Sequence, residues 1–464
     1  MSEIYSSHSV EQENLPTAEV LFAELLTLEP KAITNFVPTN GEEQKEQFLS
    51  GEIRNPDHRY EKLQAIDFDA NRTRIQQVGA QIVNDPALNP KYVSVYESFT
   101  QNYLNKTTYL EKVNEYKLVD DAEQKAQLRK ELMKLNIELF GEPDETVYRS
   151  VLAEKIDAIS AKDLSGDAAK IRDELKELVG DVDLVRVERF RPSDATVNWM
   201  NRVAHSLYDG MLSHLPDQEK FEETDIKAVF DAILVEEFGD SVDGWTVDIE
   251  KAQSINLKVA ERRVVIPEGR NVGQSEMREL IVHEIGIHLL RSIMGEQTDL
   301  EPLRLGLSEY YDGEEGLGVV MEQAINGEFV EAGLGHYITA GLAHFDGKDF
   351  RDIFEIKWRL AALEKETINV SESQLEKTKI AAYKNTMRIM RGTDDMPWFK
   401  DLAYYNGAAG VWKQLEAISG DDVEFTFVLL GKANAANPAH KQILLETATP
   451  SDDDGATEEV AGKV

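Results

Sequence analysis

Between residues 17 and 180 the chain reads as a succession of charged helices. In the segment 121–139, Leu128, Leu132, Leu135 and Leu139 recur at helical spacing and form one apolar stripe, the pattern of a helix laid against a core. Gly141–Pro143 and Gly180 punctuate these helices. Beyond Gly180 the pattern changes. Residues 196–213 and 224–238 read as amphipathic helices. Ile255, Leu257 and Val259 then alternate with polar residues, and Val264–Ile266 follow a short charged turn, which is the period-two pattern of strands. Ser275-Glu276 opens another helix, with Ser275 placed as its N-cap, and this helix runs into an apolar stretch from Leu280 to Leu290. The elements predict an α+β, mostly helical fold: a helical N-terminal region over 17–180, packed on a second part over 181–446 that holds a small sheet. Residues 1–16 are polar and expected to be mobile. Residues 447–464, TATPSDDDGATEEVAGKV, are small and acidic and expected to be disordered.

Composition narrows the partners. With 464 residues and 42% hydrophobic content, the chain can bury the core of one large domain or two. Fifty basic against 86 acidic residues give a formal charge of −36, which argues against nucleic acid and anionic membranes as partners. There is no cysteine, so any metal must be held by His, Asp or Glu. The N-terminal MSEIYSSHSVEQENLP lacks the basic and apolar regions of a signal peptide, and no run reaches the ~18 apolar residues of a membrane span. A soluble cytoplasmic protein is expected.

The chemistry concentrates in one place. Residues 283–288 read His-Glu-Ile-Gly-Ile-His, in a chain with only nine histidines. Two imidazoles for a metal and one carboxylate to handle a proton are the parts of a zinc hydrolase site. The histidines are five apart rather than the usual four. On a regular α-helix, at about 100° per residue, they would point about 140° apart. A π-bulge would bring them together, and Gly286 between them is the easiest place to distort the helix. A site at an irregular helix end would serve as well, and the motif taken alone is read equally well as two core histidines bonded to backbone carbonyls.

A third ligand is available downstream, where Asp312-Gly-Glu-Glu-Gly-Leu-Gly-Val-Val-Met-Glu322 reads as a helix beginning near Gly313. Glu315 and Glu322, seven apart, share a face, while Glu314 is rotated about 100° away. This makes Glu315 the ligand and Glu322 the partner of a histidine N–H. The competing reading is an Asp312–Glu315 capping box. In a third region, residues 377–391, five basic residues occur without an acid, and Lys377, Lys384, Arg388 and Arg391 fall on one helical face. Such a run is either a solvated basic face or a patch that captures a carboxylate.

HEIGIH and EEGLG together resemble the HExxxH…EGLA signature of the MATCAP-like metallopeptidases, which include animal tubulin tyrosine carboxypeptidases and bacterial QEGLA-motif proteins. The similarity continues through Leu289, Leu290 and Arg291 after the first motif, then Arg388, Arg391 and Gly392 in an R-x-x-R-G stretch, then Lys400, Asp401, Tyr404 and Gly407. Order and spacing agree over roughly 255–415. Ile287 stands where the family has Thr, and Gly318 where it has Ala. The resemblance implies a zincin-like catalytic domain with an active-site HExxxH helix. It implies Zn2+ on His283, His288 and Glu315 and selects Glu315 over Glu314. Glu284 then becomes the catalytic base, and Arg388 and Arg391 become substrate-binding residues. Tyr404 is the leading candidate for stabilising the oxyanion, with His336 and His344 behind it. The expected activity is zinc-dependent hydrolysis of a peptide bond, as a carboxypeptidase acting on a peptide or protein C-terminus. The alternative is a metal-binding regulatory protein without peptidase activity.

Overall fold

The computed structural model describes residues 17–180, 184–242, 244–252, 254–365 and 371–448. The expectations for 1–16 and for 449–464 lie outside them. Thr447 and Ala448, assigned by sequence to the acidic tail, close the helix Pro438–Ala448.

Helices dominate and two small sheets complete an α+β fold. Lys220–Glu222 pairs antiparallel with Asn271–Gly273. In the other sheet Arg263–Pro267 is central, parallel to Thr246–Glu250 and antiparallel to the edge strand Asn256–Lys258. Val264, Val265 and Ile266 are fully buried, so the run read as a strand is its hydrophobic middle. Ile255 precedes the edge strand and Val259 follows it in a 3₁₀ turn, so the alternating stretch contributes only its centre. Ser275 is not an N-cap. The strand Asn271–Gly273 runs straight into the helix Gln274–Leu280, leaving Gly273 at the cap position. Among the described residues, no helix is long and apolar enough to cross a membrane.

Among the described residues, buried side chains gather in four clusters. The largest belongs to the C-terminal part and includes Trp199, Tyr208, Ile281, Ile285, Leu317, Val320 and Trp412. The others each combine the N-terminal helices with later segments. Phe22 and Ile75 share a cluster with Leu300 and Leu303, Leu128 and Leu132 one with Met396 and Trp398, and Tyr148 and Leu175 one with Tyr337 and Phe399. The leucine stripe of 121–139 therefore faces a core, and that core reaches the segment just before Lys400.

Three contacts position the residues of interest. The helix Tyr311–Ile325 packs on Ala403–Ala417 so closely that a Cβ on Gly316 would lie 2.3 Å from the Gly407 carbonyl carbon. The helix Asp194–Ser213 lies against both Tyr311–Ile325 and the histidine segment, and the edge strand Asn256–Lys258 borders the histidine segment from the sheet side.

Candidate metal centre

The histidine helix is not regular. From Ile281 to Leu289 it winds as a π-helix between the α-helical Gln274–Leu280 and Leu290–Glu296, and the Leu290 N–H reaches back five residues to the Ile285 carbonyl. An i→i+5 pattern stacks residues five apart, as i→i+4 stacks residues four apart in an α-helix. His283 and His288 accordingly become neighbours, with ring centroids 4.7 Å apart and planes at 81°. Gly286 serves packing as well as pliancy. A Cβ there would sit 2.7 Å from a carbon of the buried Tyr208 ring, and the Tyr208 hydroxyl donates to the Gly286 carbonyl at 3.3 Å.

The facing helix supplies three carboxylates. Ligand atoms of His283, His288 and Glu315 all lie within 4.8 Å of one another, with His283 Nε2 3.8 Å from Glu315 Oε2. Glu322 accepts from His283 Nδ1 at 2.6 Å, and Glu314 from His288 Nδ1 at 2.8 Å. Carboxylates only accept, so each ring carries a proton on Nδ1 and turns Nε2 towards the centre. Glu314 is the residue sequence spacing missed. Although it lies off the Glu315 face, His288 approaches the helix from that side. Glu314 is also held by Arg291 and by Lys432 Nζ at 3.1 Å, while Arg291 donates to the Ala433 carbonyl at 2.6 Å. The Asp312–Glu315 capping box does not form: the helix begins at Tyr311, with Tyr310 at the cap position making no side-chain bond.

Burial and charge set the protonation. Burial alone would lower the His283 pKa, but the hydrogen bond and charge of Glu322 outweigh it and raise it to about 9 in the metal-free protein. Burial raises the Glu284 pKa above the usual carboxylate range against the opposing pull of His288 and His283. Burial would also raise Glu314, yet Lys432 and Arg291 hold it well below the ordinary value.

Two imidazole nitrogens and one carboxylate oxygen, with each imidazole backed by a second carboxylate, match the donor chemistry of a catalytic zinc site.

Beside this centre lies a cationic cluster. Tyr404 opens the helix Ala403–Ala417 close to the charge of Glu315, and burial raises its pKa to about 12. It is hydrogen-bonded with Tyr311 and accepts from Arg388 Nη2 at 3.4 Å. Arg388 also grips Asp401 through two nitrogens, at 2.6 and 3.2 Å. Arg391 donates Nε to the Arg388 carbonyl at 2.7 Å and keeps Nη2 3.7 Å from Asp401. His336 stands near Tyr404, ring centroids 5.9 Å apart, with its Nδ1 buried and without a hydrogen-bond partner among the described residues. His344 is elsewhere, against Glu142 and the Phe345 and Phe399 rings.

A family model described as microtubule-associated tyrosine carboxypeptidase (MATCAP) matches residues 191–447, more than half of the chain. The protein belongs to the MATCAP family. No curated protein and no solved structure gave a significant match. The MATCAP match is wider than the motif similarity over 255–415 and encloses every candidate site residue, while the helices of 17–180 lie outside it. Both departures from the MATCAP motif have a visible setting. Ile287 is fully buried in the core, so the family's Thr hydroxyl is absent from a position that does not face solvent. A Cβ on Gly318 would lie 2.6 Å from His283 Cε1, so the imidazole occupies the space that the usual alanine methyl would take.

Proposed function

We propose that the protein is a zinc-dependent carboxypeptidase with a zincin-like catalytic part. The observation that carries this reading is the convergence of His283, His288 and Glu315 from two facing helices, next to a cluster of cations. MATCAP membership supplies the reaction class, and peptide C-termini are the substrate class that goes with it.

His283, His288 and Glu315 would hold the ion. When bound, zinc supplies Lewis acidity to a scissile carbonyl and acidifies water for attack. Glu284, whose pKa burial raises against the pull of the two histidines, would accept a proton from the attacking water and return it to the leaving amine. Tyr404 keeps its phenolic proton over the physiological range and offers it to the developing oxyanion. The strand Asn256–Lys258, at the edge of its sheet and bordering the histidine segment, would offer its outer side to an extended substrate.

Metal analysis of the purified protein, together with terminal profiling of peptides cleaved by wild type and Glu284→Gln, tests the proposal. Zinc near one equivalent and loss of single C-terminal residues, slowed about 10²–10⁴-fold by the substitution, is the expected result. Zinc binding with no Glu284-dependent cleavage would favour the regulatory alternative.

A further inference from the structure

Lys400 lies in the 3₁₀ turn Phe399–Leu402, half-buried, with its ammonium 3.6 Å from the centre of the Tyr311 ring. Among the described residues no carboxylate comes within ion-pairing distance of it. Its neighbour Asp401 is taken on both oxygens by Arg388 and approached by Arg391. Asp401, the metal-ligand candidate Glu315 and the largely buried Asp312 all act on Lys400 through charge, yet none of them forms an ion pair with its ammonium. Among the described residues, Lys400 is therefore the cation of this cluster whose half-buried ammonium has a ring but no bonded anion against it.

Position adds to charge. Tyr311 and Glu315 are four apart on one helix and so neighbour each other, and Lys400, seated on the Tyr311 ring, lies near enough to feel the Glu315 charge. In a C-terminal residue the terminal carboxylate lies about one residue length, ~3.8 Å, beyond the scissile carbonyl. A receptor for it must stand that close to the metal ligands.

Resting on the carboxypeptidase reading, we propose that Lys400, assisted by Arg391, receives the terminal carboxylate of the substrate. Arg388 is instead a positioning residue that holds Asp401 and Tyr404. Burial lowers the Lys400 pKa to about 8, which an incoming carboxylate would reverse.

The test uses a random-sequence decapeptide pool made in two forms, free acid and C-terminal amide. Cleavage by wild type, Lys400→Gln, Lys400→Arg and Glu284→Gln is followed by mass spectrometry. Binding of the fluorescein-labelled pools to zinc-loaded Glu284→Gln is measured with and without Lys400→Gln. The free-acid pool should bind about 10- to 100-fold more weakly after Lys400→Gln, as loss of a charge-assisted hydrogen bond predicts, with KM rising in parallel. The amide pool should be unaffected, zinc content unchanged and Lys400→Arg partly restored. Equal losses on both pools, or none on the free acid, overturn the assignment. Peptide binding that discriminates acid from amide through Lys400, without Glu284-dependent cleavage, would keep the assignment and overturn the carboxypeptidase reading.

Discussion

Removing the Glu314 carboxylate separates two jobs that one side chain performs. Its side chain is 3% exposed and faces Arg291 at 1% and Lys432 at 5%, so neither cation can turn to water if the carboxylate goes. Breaking a buried pair by deleting one partner costs about 3–5 kcal/mol, because a charge is left uncompensated. Glu314→Ala therefore loses that stability and also frees His288, weakening zinc binding about 10- to 100-fold. Glu314→Gln keeps an oxygen for the His288 N–H while deleting the charge. It should lose a comparable part of the stability while holding zinc affinity within a few-fold of wild type. Urea unfolding of the metal-free protein reads the first quantity, and chelator competition the second. A Glu314→Gln protein as stable as wild type would refute the argument that Arg291 and Lys432 depend on this charge. Equal zinc affinities for the Ala and Gln variants would refute the positioning role.

Three further outcomes follow from the geometry. With His283 raised to about 9, its protonation stabilises the metal-free protein fully below pH ~6.5, and this contribution is lost as pH rises through 9. Zinc must displace that proton, so calorimetry at pH 7.5 in buffers of different ionisation enthalpy should show about one proton released, and markedly less in Glu322→Gln; no release would contradict the assignment. Gly316→Ala would force a methyl onto the Gly407 backbone, which cannot rotate away, and should lower the urea midpoint by the equivalent of about 1–3 kcal/mol or more; an unchanged midpoint counts against the close helix crossing. Gly286→Ala would push Tyr208 off the π-helical segment, and should weaken zinc binding more than Tyr208→Phe, which removes only one hydroxyl contact; the reverse order would place the importance in the hydrogen bond.

Much of the centre was legible because it is local. The five-residue spacing of His283 and His288 allowed a shared site only if the helix was distorted, and the seven-residue spacing of Glu315 and Glu322 put both on one face. Both inferences need only backbone periodicity. The role of Glu314 was hidden, since a helical wheel turns it away, and nothing local says from which side His288 approaches.

The sequence by itself determined the elements and their chemistry: a mostly helical chain, an HExxxH segment, a glutamate-bearing helix after it and a basic stretch near Arg388 and Arg391. Tertiary structure alone decided how charges pair. Arg291 and Lys432 meet over Glu314 across more than a hundred residues, Asp401 engages Arg388, and Lys400 forms no ion pair among the described residues. The physical reason is that periodicity fixes the face a residue occupies, whereas a charge's partner depends on which element packs against that face. That depends here on the glycine-mediated contact of Gly316 with Gly407 and on the cores joining the N-terminal helices to the later segments.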